Sequence, residues 1–327
     1  MDRQLEDSME GKWIPAVSVR SGEGQEVTPD LYCFTVQIVN VVMAGDPDRW
    51  ALVDAGMPES ADAILSAAEK RFGPQNQPEA IILTHGHFDH VGAVVDLAET
   101  WDVPVYAHES ELPYLTGRAR YPEPDPTVEG GWVAKLSLLF PRDPVNLGDR
   151  VRKLPPDGRV PGMPGWRWIP TPGHTPGHVS LFREADRSLI AGDAFVTVRQ
   201  DSLYKVVMQR KEISGPPRYW TTDWPSARES VKRLHALNPS RAITGHGVPV
   251  SGEELSRGLE RLVREFDRIA LPDYGRYVDG GKNCPNHKPG RARLGPSLFF
   301  FHSTATRLHL PGMCDPHHRS RCPYGIK

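Results

Sequence analysis

The densest chemistry in the chain lies in one heptapeptide, THGHFDH, Thr84 to His90, where three histidines and one aspartate fall close together. Imidazole nitrogens and carboxylate oxygens are the donors that zinc and similar divalent ions take from proteins. His85 and His87 stand two apart, so in an extended segment both project to the same side. Asp89 and His90 follow where the chain should turn into a helix starting near Val91. Gly86 has no side chain to crowd the loop. Four donors from one loop are too many for a single zinc that must also take ligands from elsewhere and keep a water. Two adjacent ions fit better.

Further donors follow short apolar runs, each beside a glycine. His174, in PTPGHT, comes after an expected strand at 166–169. Asp193, in AGDA, ends a strand at 188–191, and His246, in TGHG, ends one at 241–244. In α/β sheets, sites collect at the carboxyl ends of strands. A single histidine or aspartate at a strand end is ordinarily a solvated loop residue. The cluster at 85–90 is what raises these three to candidate ligands. His108, in YAHES, has no ligand spacing and reads as structural.

These donors need elements to deliver them. Residues 31–44 are dense in Val, Ile, Phe and Tyr and read as one or two buried strands, with another at 50–53. Pro58 is expected to open a helix whose Ile64, Ala67, Ala68 and Phe72 share a face. A short strand at 80–83 runs into the histidine loop. Val91, Val94, Val95 and Ala98 follow at helical spacing, and a strand at 103–107 comes next. Strands at 179–182 and 188–191, a helix at 226–237, a strand at 241–244 and a long helix at 252–269 complete the pattern. Strands alternate with helices twice over, so the class is α/β.

The expected organisation has three parts. Residues 1–30 are a polar lead-in, residues 31–279 the catalytic domain, and residues 280–327 a tail. Within the domain, residues 113–164 hold ten prolines and few periodic runs. They read as an insertion or cover loop with one helix near 132–140, and long loops in compact domains tend to carry function. The tail contains Cys284, His287, Cys314, His317, His318 and Cys322. These lack paired CxxC spacing, so a zinc knuckle is disfavoured and a disordered extension is expected.

Composition narrows the function classes. The chain has 327 residues, 39% of them apolar, and a net charge of −2. The tail holds eight Lys or Arg and one acid, Asp315, which leaves the first 279 residues at −9. An acidic body argues against a nucleic-acid enzyme, which needs a basic surface. The N-terminus is acidic without an apolar signal segment, and no long apolar run suggests a membrane span. Only Cys33 lies outside the tail, so the body has no disulfide framework. A soluble cytoplasmic protein acting on a small molecule is expected, with no nucleic acid or membrane partner; a homodimer is compatible with this.

The series HxHxDH, then a PGHT turn, a GD strand end and a GH strand end, resembles the metallo-β-lactamase superfamily across residues 31–270. LVDAGMP, at 52–58, resembles that family's early strand-and-turn motif with its aspartate, here Asp54. The resemblance implies a four-layer αββα sandwich of two mixed β-sheets flanked by helices. It implies that His85, His87 and His174 hold one ion, that Asp89, His90 and His246 hold a second, and that Asp193 bridges them with a hydroxide between. Two zinc ions per chain are implied, with iron or manganese as alternatives. Asp54 then orients a ligand imidazole, and His178, the second histidine of PGHTPGH, supports the site without ligating. The implied reaction is attack of that hydroxide on the carbonyl of an ester, lactone or thioester. Asp193 and Asp89 carry it, Asp89 by helping to move the proton.

The branch is less legible. The set of seven ligands resembles quorum-quenching lactonases, but Val196 stands where many of those carry a tyrosine. It also resembles glyoxalase II, without that family's glutathione-binding residues. An oxidoreductase, a mononuclear iron sulfur dioxygenase of the same fold, is the alternative from another class. The segment 213–231 resembles broad-specificity members, and its Arg218, Tyr219, Trp220 and Trp224 are candidates for lining the substrate mouth.

Overall fold

The computed structural model describes residues 18–128, 145–198 and 211–278. The helix expected at 132–140, the first 17 residues of the lead-in and the tail at 280–327 lie outside the described residues.

Strands β1 (Gly24–Thr28), β2 (Leu31–Val36), β3 (Val39–Asp46) and β4 (Arg49–Val53) form an antiparallel meander. Strands β5 (Ile81–Ile82), β6 (Val105–Ala107) and β7 (Val151–Lys153) extend it in parallel, so the first sheet has seven strands in chain order. The second sheet runs β14 (Val250–Ser251), β13 (Arg241–Thr244), β10 (Ser188–Gly192), β9 (Val179–Arg183), β8 (Trp166–Pro170). Only the β10–β13 pair in it is parallel. A ribbon of β11 (Val196–Val198) and β12 (Lys211–Ser214) stands beside these sheets.

The period-two alternation of the strands dictates the layers. In β4, Trp50 and Leu52 enter one apolar core while Ala51 and Val53 enter another. In β10, Leu189 and Ala191 face a third core, whereas Ile190 shares the second with Ala51 and Val53. The second core therefore lies between the sheets, and the other two lie on their outer faces. Helices α1 (Ala61–Phe72) and α3 (Val94–Trp101) cover the first sheet through Ile64, Ala68, Leu97 and Trp101. Helices α5 (Trp224–Ala236) and α6 (Gly252–Arg264) cover the second through Val231, Leu234, Leu255 and Leu259. The result is the αββα sandwich. Short helices α2 (Phe88–Val91), α4 (Leu112–Leu115) and α7 (Phe266–Ile269) fill the connections. Among the described residues, no helix is long and apolar enough to cross a membrane.

Several local expectations are corrected. Strand β1 lies inside the stretch read as a polar lead-in; it is an edge strand, half exposed, so it carries little apolar signal. Strand β7, sequence VRK, lies inside the stretch read as a cover loop and exists through its pairing with β6. Helix α1 begins at Ala61 rather than Pro58, because Glu59 adopts a left-handed conformation (φ 65°) that interrupts the helix. The long C-terminal helix breaks at Glu265, whose φ of −117° leaves the helical region.

Candidate metal centre

All seven candidate ligands meet at one end of the sandwich. β5 leads into the loop carrying His85, His87, Asp89 and His90, with α2 presenting the last two. His174 follows β8, Asp193 follows β10 and His246 follows β13. Six are buried, with 0–3% exposure, and the Asp89 side chain is 14% exposed. Their donor atoms form three overlapping clusters: His85, His87 and His174; His85, His90 and Asp193; Asp89, His90 and His246.

The hydrogen-bond partners fix which nitrogen of each ring faces inward. His90 Nδ1 lies 2.9 Å from Asp54 Oδ2, so it donates there and Nε2 is turned toward Asp193. The Thr84 hydroxyl donates to Asp54, which makes it an acceptor for His85 Nδ1 at 3.0 Å. The Thr221 hydroxyl donates to the Pro217 carbonyl and accepts from His174 Nδ1 at 3.1 Å. His246 Nδ1 donates to the Ile38 carbonyl at 3.0 Å. Four imidazoles thus turn Nε2 toward the centre. His87 turns Nδ1 inward instead, 3.0 Å from His174 Nε2.

Asp193 sits between the half-sites. Its Oδ2 is 3.5 Å from His174 Nε2 and 3.4 Å from His246 Nε2, and its Oδ1 is 3.6 Å from His90 Nε2. Asp89 Oδ2 is 3.3 Å from His246 Nε2. Donors about 2.0–2.2 Å from a tetrahedral zinc lie roughly 3.3–3.6 Å from one another. Most of these separations are therefore those of ligands around a cation, longer than a good hydrogen bond. Three buried atoms, His85 Nε2, His90 Nε2 and Asp193 Oδ1, have no hydrogen-bond partner. Buried polar atoms normally find one. The donor set fits divalent ions.

Electrostatics separates the two half-sites. Burial, followed by the charge of neighbouring imidazoles, pushes His85 and His174 well below the usual histidine range and His87 to about 3. These three rings are presented as neutral donors. Burial also pulls His246 down, but Asp193 and Asp89 outweigh it and lift it to about 10; His90 is raised in the same way. Burial would raise Asp193, yet His246 and His90 hold it well below the carboxylate range. Ligation would require those imidazole protons to leave, so metal binding at this half would be coupled to proton release.

His178 lies beside Asp193 and in none of the three donor clusters. Burial lowers it to about 4, so it is neutral, and its Nε2 accepts the Asp193 backbone N–H at 2.9 Å. Its Nδ1 lies 2.8 Å from the Thr171 hydroxyl. His108 is half-exposed, accepts the Ser110 amide, and belongs to no ligand cluster.

The four substrate-mouth candidates divide. Trp220 stands against His87, ring centroids 4.7 Å apart, and packs with Tyr219 and Val128, with Phe88 alongside. Arg218 and Trp224 are corrected. Arg218 donates to the Ala270 and Ile269 carbonyls at 3.0 and 2.9 Å, tying its loop to the end of α7. Trp224 is a core residue beside Phe266, because Asp223 caps α5 and turns its first residue inward. No local pattern points to Asn40, whose side-chain amide donates to Thr244 and Gly247 carbonyls across the sheets, nor to Glu111, Tyr121 and Thr221. Their roles lie in contacts distant along the chain, which no local pattern marks.

Gly245 is required by close approach. A Cβ there would stand 2.1 Å from Asp193 Oδ1 and 2.6 Å from His90 Cε1. Gly245→Ala should therefore displace Asp193 and weaken metal binding by at least about tenfold, a size seen when supporting contacts of a metal site are lost. Equilibrium dialysis would measure this, and far-ultraviolet circular dichroism should show the fold intact.

Comparison with known proteins agrees with the geometry. The chain is 47% identical over 264 residues to "Probable metallo-hydrolase YflN" of Bacillus subtilis, covering 80% of this chain and all of that one. It is 31% identical over 272 residues to a hydroxyacylglutathione hydrolase of Mesorhizobium japonicum, covering 82% and 86% of the two chains. Among solved structures, a B3 metallo-β-lactamase with an active-site glutamic acid superposes with a TM-score of 0.54 at 20% identity, covering 83% of this chain and 95% of that one, a likeness of fold. The sequence profile of the metallo-β-lactamase superfamily matches residues 34–246, which span all seven candidate ligands. The chain belongs to the metallo-β-lactamase superfamily.

Proposed function

We propose that this protein is a metal-dependent hydrolase that cleaves an ester, lactone or thioester bond of a small molecule, with two divalent ions, zinc first among them. The observation that carries the reading is the Asp193 carboxylate, whose single oxygen Oδ2 lies 3.5 Å from His174 Nε2 and 3.4 Å from His246 Nε2. One carboxylate thereby joins two donor groups. His85, His87 and His174 would hold one ion, and Asp89, His90 and His246 the other. When bound, such ions lower the pKa of a coordinated water to about 7 and polarise a carbonyl oxygen.

The chain's own residues supply the rest. Asp54, Thr84, Thr221 and the Ile38 carbonyl hold four rings in the tautomer that ligates. Asp89 is the most solvent-accessible of the seven, which suits it to carry a proton between the site and the departing group. The Trp220 and Tyr121 rings flank His87 and keep that side of the site apolar. No serine or cysteine nucleophile is required. The relative named hydroxyacylglutathione hydrolase supports acyl transfer from a thiol as one member of the substrate class.

The test is elemental analysis of the full chain together with assays on lactones, aryl esters, acylglutathione thioesters, phosphotriesters and a cephalosporin, with oxygen uptake recorded. About two ions per chain and turnover of a carboxylic ester, lactone or thioester are expected. About one iron per chain with oxygen consumption would replace this reading by the dioxygenase.

A further inference from the structure

Glu111 is a buried carboxylate that the proposed reaction does not use. It ends a 3₁₀ turn (Glu109–Glu111) after β6 and has 0% exposure. Its Oε1 accepts the Thr175 hydroxyl at 2.9 Å and the Gly177 amide at 2.7 Å. Its Oε2 accepts the Gly86 amide at 3.0 Å and the Tyr121 hydroxyl. A carboxylate offers about four acceptor positions, and four donors fill them here.

The identity of those donors matters. Gly86 lies between His85 and His87, and Thr175 and Gly177 lie between His174 and His178. The first loop leaves β5 in one sheet, and the second leaves β8 in the other. One side chain therefore bonds both loops that carry the three imidazoles of a single half-site. The approach is close on both sides. A Cβ on Gly177 would lie 2.8 Å from Glu111 Oε1, and one on Gly86 would lie 2.6 Å from the Tyr121 hydroxyl. Glutamine is the same size but cannot replace it. Its NH₂ would face a backbone N–H whichever way the amide turned: at Gly177, taking away that amide's carboxylate acceptor, or at Gly86, whose amide would keep only the Tyr121 hydroxyl at 3.0 Å.

We propose that Glu111 is a positioning residue that sets the spacing of His85 and His87 against His174, and so the affinity of that half-site, without touching ion or substrate. This rests on the two-ion reading above. It predicts a selective effect: the group of His85, His87 and His174 depends on Glu111, while that of Asp89, His90 and His246 is held by Asp54 and Ile38.

The experiment is a zinc titration of the full chain against a chromophoric chelator, with His174→Ala used to identify which of two binding steps belongs to the three-histidine group. Glu111→Gln should weaken that step by about 10–100-fold and leave the other within about twofold. Tyr121→Phe, which removes one acceptor of the Gly86 amide but leaves both amides bonded to Glu111, should change neither step by more than a few-fold. Thr175→Val gives the same readout should Glu111→Gln fail to fold, with the same step weakened. Two steps unchanged in Glu111→Gln, or both weakened alike, would overturn the assignment. A wild-type chain that binds fewer than two zinc ions would overturn the two-ion reading itself, and the assignment with it.

Discussion

Asp193→Ala should abolish hydrolysis, lower the metal content from about two ions per chain to one or none, and leave the chain folded. Among the described residues, Asp193 alone has a carboxylate that reaches His174, His90 and His246 together. On the proposed two-ion reading, removing it would take a ligand from both half-sites at once. Metal ions contribute several kcal/mol of transition-state stabilisation. At about 1.4 kcal/mol per decade, activity should fall by roughly 10³-fold or more. The fold should survive because the carboxylate lies at the sandwich edge, outside the three apolar cores. His90 and His246 also lose the main charge that raises them, and both should titrate lower in the metal-free variant. Kinetics, elemental analysis and histidine NMR titration would check these outcomes. Retained turnover with two ions bound would remove Asp193 from the site.

Asp54 should show the second large effect, through two variants that behave differently. Its carboxylate accepts the Thr84 amide, the Thr84 hydroxyl and His90 Nδ1, all buried. Asp54→Ala leaves those donors unpaired and puts alanine at φ 60°. A loss of about 2–4 kcal/mol in stability is expected from the orphaned donors and the backbone strain. Asp54→Asn tolerates that backbone and keeps the size. Its NH₂ group, however, cannot accept from His90 Nδ1 while its oxygen serves Thr84. His90 is then driven to the tautomer with a proton on Nε2, the atom that should ligate. The asparagine variant should therefore melt near the wild-type temperature yet bind metal about 10–100-fold more weakly. Thermal unfolding and a chelator competition would separate the two. Equal metal affinity in Asp54→Asn and wild type would show that Asp54 does not set the His90 tautomer.

The sequence made some of this legible and hid the rest for identifiable reasons. His85, His87, Asp89 and His90 could be read because their chemistry and spacing sit in one loop. His174, Asp193 and His246 could be read because each follows an apolar run that became a strand of the second sheet. The layers follow from alternation, as Trp50 and Ala51 entering different cores shows. Glu111 stayed hidden because two of its four partners are backbone amides 25 and 66 residues away, which no residue type advertises. Strand β7 stayed hidden because three partly exposed residues form no period. Trp224 misled because the resemblance of segment 213–231 grouped it with Tyr219 and Trp220; the stronger signal was Asp223 followed by Pro225, a helix start that turned the ring inward.

The partition of ligands between the two sheets has a mechanical consequence. The histidine loop belongs to the first sheet, whereas His174, Asp193 and His246 belong to the second, so each ion would tie one sheet to the other. His87 and His174 are 87 residues apart along the chain. An ion held between them acts as a removable crosslink closing a long loop, the circumstance in which such a clip restricts the unfolded chain most. Linkage gives the scale: an ion at 1,000 times its dissociation constant adds about 4 kcal/mol to stability. The melting temperature should then follow free metal concentration, and the chain's resistance to proteolysis would report how much metal its surroundings supply.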